Sequence, residues 1–530
     1  MASLPPTTTP ESSLRALLRS PALGGALLAV FIGAIDLTVI AAILPQMVQD
    51  VGVNTSDLDR YIWIVSGYLI AYIVAIPIVG RLSDLLGRRA AYLACLALFL
   101  AGSIACATAT DLTTLVLGRS IQGFGGGGLL PITLALAVDV LPPARRLAGI
   151  GLVSAADTLG WVIGPLYGAA IETVAPGESP WRWVFWINVP IVIAVAGFIV
   201  RHMPADTRGG WRSLRQFDLP GAALLAGAIV AANLALSAGG EIGSATGSGL
   251  RALGGTPNPL ARYTVPLLVT AGVLVIVLAV VQRAARHPIL PVDLFRQRPF
   301  RLAMIANALV GVVLMVAMVD VPVAVNLIAP PDWATAASAG MLATYTAGIM
   351  AATLLSDRVT HRFGLVPTVI GGLALAAGGY ALLYGLLGNG HLLRMVPGLT
   401  LAGVGVGLVL PPLSGLAVTE VAERDRGAAS AMMLVSRLLG MTTGMSALTA
   451  VAVKRLQVLT ERVPPIVRSP DETTAQFLLR QQQFLTDTAF PLSIQVLGET
   501  FLIAAVLAAI AAVPTVVLAR AIGARAGRPT

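Results

Sequence analysis

Residues Gly80 to Arg89, GRLSDLLGRR, stand between two apolar stretches that are each long enough to cross a bilayer. Arg81, Asp84, Arg88 and Arg89 cannot reside in hydrocarbon, so the segment must be a tight polar turn at a membrane face. Gly80 and Gly87 let the backbone turn sharply and the flanking helices approach closely. A weaker copy, LLSDRVTHRFG, occupies Leu354 to Gly364, again between apolar stretches. A chain punctuated in this way is an all-α polytopic membrane protein whose two halves carry the same hinge.

The remaining sequence obeys that constraint. Only 12% of residues are charged and 56% are hydrophobic, with a mean hydropathy of +0.84, whereas a soluble domain carries roughly 25% charged residues. Apolar runs place six spans at 22–47, 60–80, 90–108, 113–138, 147–171 and 183–201. Two more follow at 218–238 and 263–282, and a last six at 300–327, 336–355, 365–386, 395–420, 428–453 and 491–519. These fourteen spans divide the chain into a tail (1–21), a six-helix bundle (22–201), a linker with two extra spans (202–299), a second six-helix bundle (300–520) and a short tail (521–530). An even number of spans puts both termini on one side.

The net charge of +9 does not point to nucleic acid. The arginines gather in the termini and in short loops on the side that holds GRLSDLLGRR, the positive-inside pattern, so both termini are expected in the cytoplasm of a bacterial cell. The amino terminus, with Arg15 and Arg19 before the first span, has no signal-peptide cleavage pattern. Cys95 and Cys106 share one apolar segment, about 16 Å apart if helical, too far to pair. Four histidines without metal-ligand spacing, and the absence of a Ser-His-Asp set or phosphate loop, argue against an enzyme and against a bound cofactor.

Two loops on the other side are unusual. Gly239 to Arg262 is rich in Gly, Ser and Pro, the composition of a flexible connection. Lys454 to Phe490 instead contains TAQFLLRQQQFLTDTAF, in which Phe477, Phe484 and Leu485 fall near one helical face. The spacing predicts that the last two spans continue past the bilayer as helices (454–490), broken near Pro464 and Pro465.

GRLSDLLGRR fills every position of the form G-x-L-x-D-x-x-G-R-R/K, the loop between the second and third helices of the major facilitator superfamily of transporters, which the chain resembles. That resemblance implies two pseudo-symmetric six-helix bundles around a central cavity. Fourteen spans, and WRWVFWINVPI at Trp181 to Ile191, are similar to the larger drug:proton antiporter branch. GAIDLTVIAAILP places Asp36 in mid-span, as in the first-helix signature of that branch, where a partly desolvated carboxylate can take up and release a proton. LGRSIQGFGGGGLLP resembles the fourth-helix motif R-x-x-Q-G, which assigns Arg119 to proton coupling and places Gln122 in the same polar cluster or on a cavity wall. Gly160, Gly164, Pro165 and Gly168 resemble the fifth-helix antiporter motif, with Ala169 in place of its final glycine; this favours export over import.

Asp157 and Arg437 are opposite charges on corresponding helices of the two halves, and Arg426 begins the same late span. Asp84 or Asp157 is therefore expected to pair with Arg426 or Arg437 when the cytoplasmic side closes, with Arg88 and Asp139 as a further clasp. Asp320, Glu420 and Glu499 all sit near span ends; Glu420 reads as interfacial, and Asp320 is the candidate for a polar cavity wall in the second half.

Two transport readings fit. An exporter of amphipathic cationic drugs would need acidic or aromatic partners for the cation, yet aromatics make up only 5% of the chain. The long loop between the last two spans resembles the mycobacterial triacylglyceride exporters that work with a periplasmic lipid-carrying lipoprotein. Lipid export is therefore preferred, driven by the proton gradient, by a monomer of the inner membrane, with drug efflux as a secondary effect. A transporter-like sensor that moves nothing stays open.

Overall fold

A computed structural model describes residues 21–51, 58–142, 146–203, 215–239, 263–285, 288–290, 292–387, 391–419, 426–460 and 473–526. Long helices dominate them: α1 (Pro21–Asp50), α2 (Leu58–Leu86), α3 (Arg88–Thr108), α4 (Leu112–Val140), α5 (Arg146–Val174), α6 (Arg182–His202), α7 (Leu219–Gly239) and α8 (Thr264–Ala284). The second half holds α9 (Arg298–Ile328), α10 (Pro331–Phe363), α11 (Leu365–Leu387), α12 (Met395–Thr419), α13 (Arg426–Thr460) and α14 (Phe490–Ala526). Among the described residues, eleven helices are long and apolar enough to cross a membrane. The three long helices outside that count are α5, α7 and α13, and all three pack into the same bundle.

The outer surface has the chemistry of a lipid-facing wall. Only 11% of the apolar window of α8 is buried, and Val265, Val269, Ile276 and Val280 are all at least 60% exposed. A greasy helix left bare to this degree is stable only in hydrocarbon, because its backbone is satisfied internally and its side chains prefer lipid to water.

Two glycine corners set the repeat. Gly87 (φ 99°) separates α2 from α3, and Gly364 (φ 89°) separates α10 from α11. Both torsions lie in the region that a Cβ disfavours. The helices then pair in duplicate: α2 with α4 as α10 with α12, α3 with α4 as α11 with α12, α1 with α5 as α9 with α13, and α3 with α6 as α11 with α14. The halves meet along α5–α10 and along α2–α13, contacts that exchange with one another under the same correspondence. Hydrophobic burial does little to hold helices together inside lipid, so close packing over small residues must do it. A Cβ on Gly123, Gly125 or Gly127 of α4 would run into the backbone of Tyr68, Phe99 or Tyr72. On α12, Gly403, Gly405 and Gly407 stand in the same way against Tyr345, Ala376 and Ile349.

The extra pair is not loose. Helix α7 packs on α8 and lies against both α2 and α13, covering one of the two seams between the halves. Asp218, just before α7, accepts the backbone N–H of Gly221 at 2.9 Å and the side-chain amide of buried Gln282 from α8. Gln282 in turn accepts the N–H of Leu290 at 3.0 Å, tying both linker helices to the segment that leads into α9. Asp111 caps α4 through the Thr114 N–H at 2.9 Å and hydroxyl at 2.6 Å, bonds that hold its carboxyl below the usual range.

The predicted extension is helical where it is described. Helix α13 runs to Thr460, and an eleven-residue helix, Thr474–Phe484, passes through a π-turn at Leu485–Ala489 into α14. The break expected near Pro464 and Pro465, the Gly240 to Arg262 connection and Glu420 lie outside the described residues. The glycine contacts carry a direct test. Gly127→Val should lower thermal stability in detergent by about 1–3 kcal/mol through overpacking, whereas Gly197→Ala, whose added methyl meets nothing within 4 Å, should leave the melting temperature within a degree or so of the parent's.

Candidate functional site

The charged centre lies inside the first half. Asp36 of α1 and Arg119 of α4 are each 1% exposed, with Arg119 Nη1 2.5 Å from Asp36 Oδ2. The second carboxylate oxygen, Oδ1, accepts the side-chain amides of Gln122 and Asn188, both at 3.0 Å. Gln122 also donates to the Ser103 hydroxyl at 2.8 Å, and its carbonyl accepts Arg119 Nη1 at 2.8 Å. The guanidinium lies 4.0 Å from the ring centroid of Tyr68, whose hydroxyl donates to the Gly33 carbonyl at 3.2 Å. Five helices of one half thus converge on a single carboxylate. A buried ion pair survives desolvation only when its remaining lone pairs and N–H groups are satisfied in this way, although Arg119 Nε has no partner among the described residues.

Sequence reasoning found Asp36, Arg119 and Gln122 but missed Asn188 and Ser103. A lone Asn or Ser in an apolar helix is too common to stand out; Asn188, inside the otherwise apolar WINVPI, is the signal that was available.

The second half keeps the backbone and drops the charge. The glycine register matches Gly123 on Tyr68 to Gly403 on Tyr345. Arg119 and Gln122 then correspond to Leu399 and Ala402, both fully buried. In place of an ion pair, the hydroxyls of Tyr345 and Tyr380 lie 3.1 Å apart, and Tyr380 donates to the Val313 carbonyl at 2.6 Å.

Between the halves stands the second ion pair. Arg437 Nη2 lies 3.5 Å from Asp157 Oδ2, with both side chains mostly buried. Asp157 precedes Gly160 by three residues and Arg437 precedes Gly440 by three. Gly160 rests on Phe31 and Ala34 of α1, while Gly440 rests on Ala308 of α9. The two charges therefore occupy equivalent positions on equivalent helices and meet where the halves face each other. Gly164 backs onto Ile35 and Thr38 of α1, and Pro165 and Gly168 are buried on the same helix. A cavity of about 20 Å³ adjoins the pair, walled by Thr158, Trp161, Leu314, Met318, Ile349 and Leu410 among others. Gln122 and Asp320, expected on a cavity wall, do not line it: Gln122 is sealed in the Asp36 cluster, and Asp320 of α9 is hydrogen-bonded to the Thr500 hydroxyl of α14 at 2.6 Å.

At the hinge, Arg88 spans Asp84 at 2.6 Å and Asp139 at 3.2 Å, and donates to the Ser83 hydroxyl at 2.5 Å. Of the pairings that the sequence allowed across the halves, the structure brings together Asp157 and Arg437; Asp84 is paired with Arg88, and the Arg426 side chain lies outside the described residues. At the opposite end, Arg455 of α13 grips Glu499 of α14 with bonds of 2.8 and 3.1 Å, a two-pronged clasp that reading Glu499 as a span-end residue did not foresee. Phe477 and Phe484 are half-buried, and the Leu485 side chain lies outside the described residues.

Removing donors from Asp36 should cost stability in a fixed order. Asn188→Ala leaves Oδ1 with one amide and should cost about 1–3 kcal/mol. Arg119→Met strands a buried carboxylate and should cost about 3–5 kcal/mol. Thermal unfolding of the purified protein checks the ranking.

Residues 26–445 match the family description "Major Facilitator Superfamily". The chain is 33% identical over 497 residues to a triacylglyceride transporter of Mycolicibacterium hassiacum, covering 92% of this chain and 89% of that protein. It is 34% identical over 518 residues to a triacylglyceride transporter of Mycobacterium tuberculosis, covering 93% of each. The fold is similar to that of the human organic anion transporter MFSD10 (TM-score 0.57, 15% identity, covering 94% of this chain and 100% of the other). It is also similar to a bacterial homologue of the human lysosomal transporter Spinster, in an inward-facing and occupied conformation (TM-score 0.57, 17% identity, covering 95% and 97%). With its duplicated bundles and apolar outer wall, this chain belongs to the Major Facilitator Superfamily: it is a multi-pass membrane transporter and not an enzyme.

Proposed function

We propose that the protein is a proton-coupled exporter of a neutral, triacylglyceride-like lipid, working by alternating access with fourteen spans and both termini in the cytoplasm. The observation that carries the lipid assignment is the likeness, over more than nine tenths of the chain, to relatives named triacylglyceride transporters. The cavity between the halves agrees in its chemistry. At about 20 Å³ it is too small for a lipid in this conformation, but the Leu314, Met318, Ile349, Leu410 and Trp161 side chains that wall it are apolar, and the one acid in its lining, Asp157, is held by Arg437. A cationic drug would have to displace that arginine to gain a partner, so drug efflux is the secondary activity.

Helices α5, α7 and α13 complete the fourteen spans in this reading. Asp157 and Arg437 form the lock that opens and closes as the halves rock. Asp36, beside Arg119, carries the proton. The helical segment that leads into α14, a helix itself clasped to α13 through Arg455 and Glu499, guides lipid to an acceptor such as a periplasmic lipid-carrying lipoprotein.

Proteoliposomes with an imposed pH gradient and a labelled triacylglyceride test this assignment. Asp157→Arg and Arg437→Asp should each cut flux at least tenfold, the consequence of losing a desolvated partner worth more than about 1.4 kcal/mol. The double reversal should recover most of it. Deleting 463–490 should abolish delivery to an acceptor while the bundle stays folded. Gradient-independent flux, or full delivery after the deletion, would remove the coupling or the extension from the mechanism.

A further inference from the structure

Asp36, Asp157 and Asp320 stand within the bundle with described partners, and they are not alike. Asp36 faces Arg119 and two amides, and Asp157 faces Arg437. Asp320 has neither: among the described residues no cation lies within salt-bridge distance, and its one polar contact is the Thr500 hydroxyl at 2.6 Å. An ionised Asp320 would be a negative charge inside a span helix with no cationic partner among the described residues, an arrangement that proteins avoid.

The hydroxyl itself settles which state fits. Thr500 is 2% exposed, and its Oγ1 lies 2.6 Å from Asp320 Oδ2 and 2.7 Å from the Leu497 carbonyl. A threonine hydroxyl owns one proton. If Asp320 were ionised, both neighbours of the buried Thr500 hydroxyl would be acceptors and one of these short O···O contacts would hold no hydrogen, two lone pairs facing each other. A proton on Oδ2 removes the conflict. Asp320 then donates to Thr500, and Thr500 donates to Leu497, so every short contact carries one hydrogen.

Among the described residues, the surroundings supply no other charge to compensate. Tyr380 of α11 faces the site and its hydroxyl is engaged by Val313 and Tyr345 of α10. Helix α12 brings no ionisable side chain. On α13, Arg437 is held by Asp157, Arg455 is held by Glu499 of α14, and Lys454 sits near the exposed far end; Arg298 and Arg301 lie at the opposite end of α9 itself. Pro322 follows two residues after Asp320 inside α9, and Phe501 stacks on Tyr380 beside Thr500.

We infer that Asp320 is a second proton-binding site, in the half that lacks the Asp36–Arg119 cluster, and that it holds a proton while α9 and α14 are packed together through Thr500. Asp320 itself is part-exposed while Thr500 is buried, so the proton leaves from the open side of the carboxylate once the Thr500 contact is released. This deepens the proton-coupled reading by giving each half its own ionisable station, one paired with arginine and one with a hydroxyl.

Infrared spectroscopy of the full chain in lipid nanodiscs reads the proton directly. At neutral pH the wild-type protein should show a protonated carboxylic-acid carbonyl band that disappears in Asp320→Asn, shifts in Thr500→Val, where the acceptor is gone, and is unmoved by Asp36→Asn. The Asn variant keeps both bonding partners, since its amide can donate to Thr500 or accept from it. If that variant does not fold, Asp320→Glu should move the band rather than remove it. An identical set of carboxylic-acid bands in wild type and in the Asp320 variant that folds, or a band indifferent to Thr500→Val, would overturn the inference. An intact Asp320 band alongside gradient-independent flux would sink the coupling and leave the site standing.

Discussion

Arg119 and Asp36 are a charge pair in which each side chain is only 1% exposed, and the first half is built to make that tolerable. The desolvation cost of each ion is several kcal/mol even after relaxation. It is offset by Gln122, Asn188, Ser103 and the Tyr68 ring, drawn from α2, α3, α4 and α6. Each of these groups would be left unsatisfied if its helix moved away alone. The cluster therefore ties five helices of the first half to one another.

The second half reaches similar packing by cheaper means. Its glycine ridge on α12 copies that on α4 almost position for position, so the backbones approach equally closely. Where Arg119 and Gln122 stand in the first half, Leu399 and Ala402 fill the space, and a Tyr345–Tyr380 hydroxyl pair supplies the polarity. Duplication has preserved the shape while the chemistry has diverged. The Asp157–Arg437 pair shows the same divergence turned to use: equivalent positions acquired opposite charges, which is what lets two equivalent helices attract across the interface. A pair 3.5 Å apart beside a small apolar cavity is easier to part than the Asp36 cluster, and that difference separates a joint from a core.

Much of this was legible in the chain. A charged residue in an apolar run announces itself because lipid forbids it without a partner, so Asp36, Arg119, Asp157 and Arg437 could be named, and opposite signs on corresponding helices put Asp157–Arg437 among the pairings the sequence allowed without choosing between them. The hinge glycines were equally plain, and Gly87 and Gly364 both take the positive φ that their place demands. Asn188 and Ser103 stayed hidden because uncharged polar side chains are affordable in a helix and become informative only when another helix presents a carboxylate to them. The Arg455–Glu499 clasp was missed because both residues fall near span ends, where a charge needs no special reason. Asp320 was noticed, but its setting was not: that a single threonine proton must serve two acceptors is a fact of packing between α9 and α14, invisible to spacing along either.

Two rigid bodies hinged on a breakable ion pair make a claim about distances. Spin labels placed in pairs, one set spanning α5 and α10 across the halves and one set spanning α3 and α6 within the first half, can be read by pulsed electron resonance in nanodiscs at low and high pH. Rocking of intact bodies requires the distances across the halves to shift between two populations, with Arg437→Ala favouring the open one, while those within the first half stay fixed. Equal shifts inside the first half would contradict a pinned Asp36–Arg119 body, and with it the division of this transporter into a core that holds and a joint that yields.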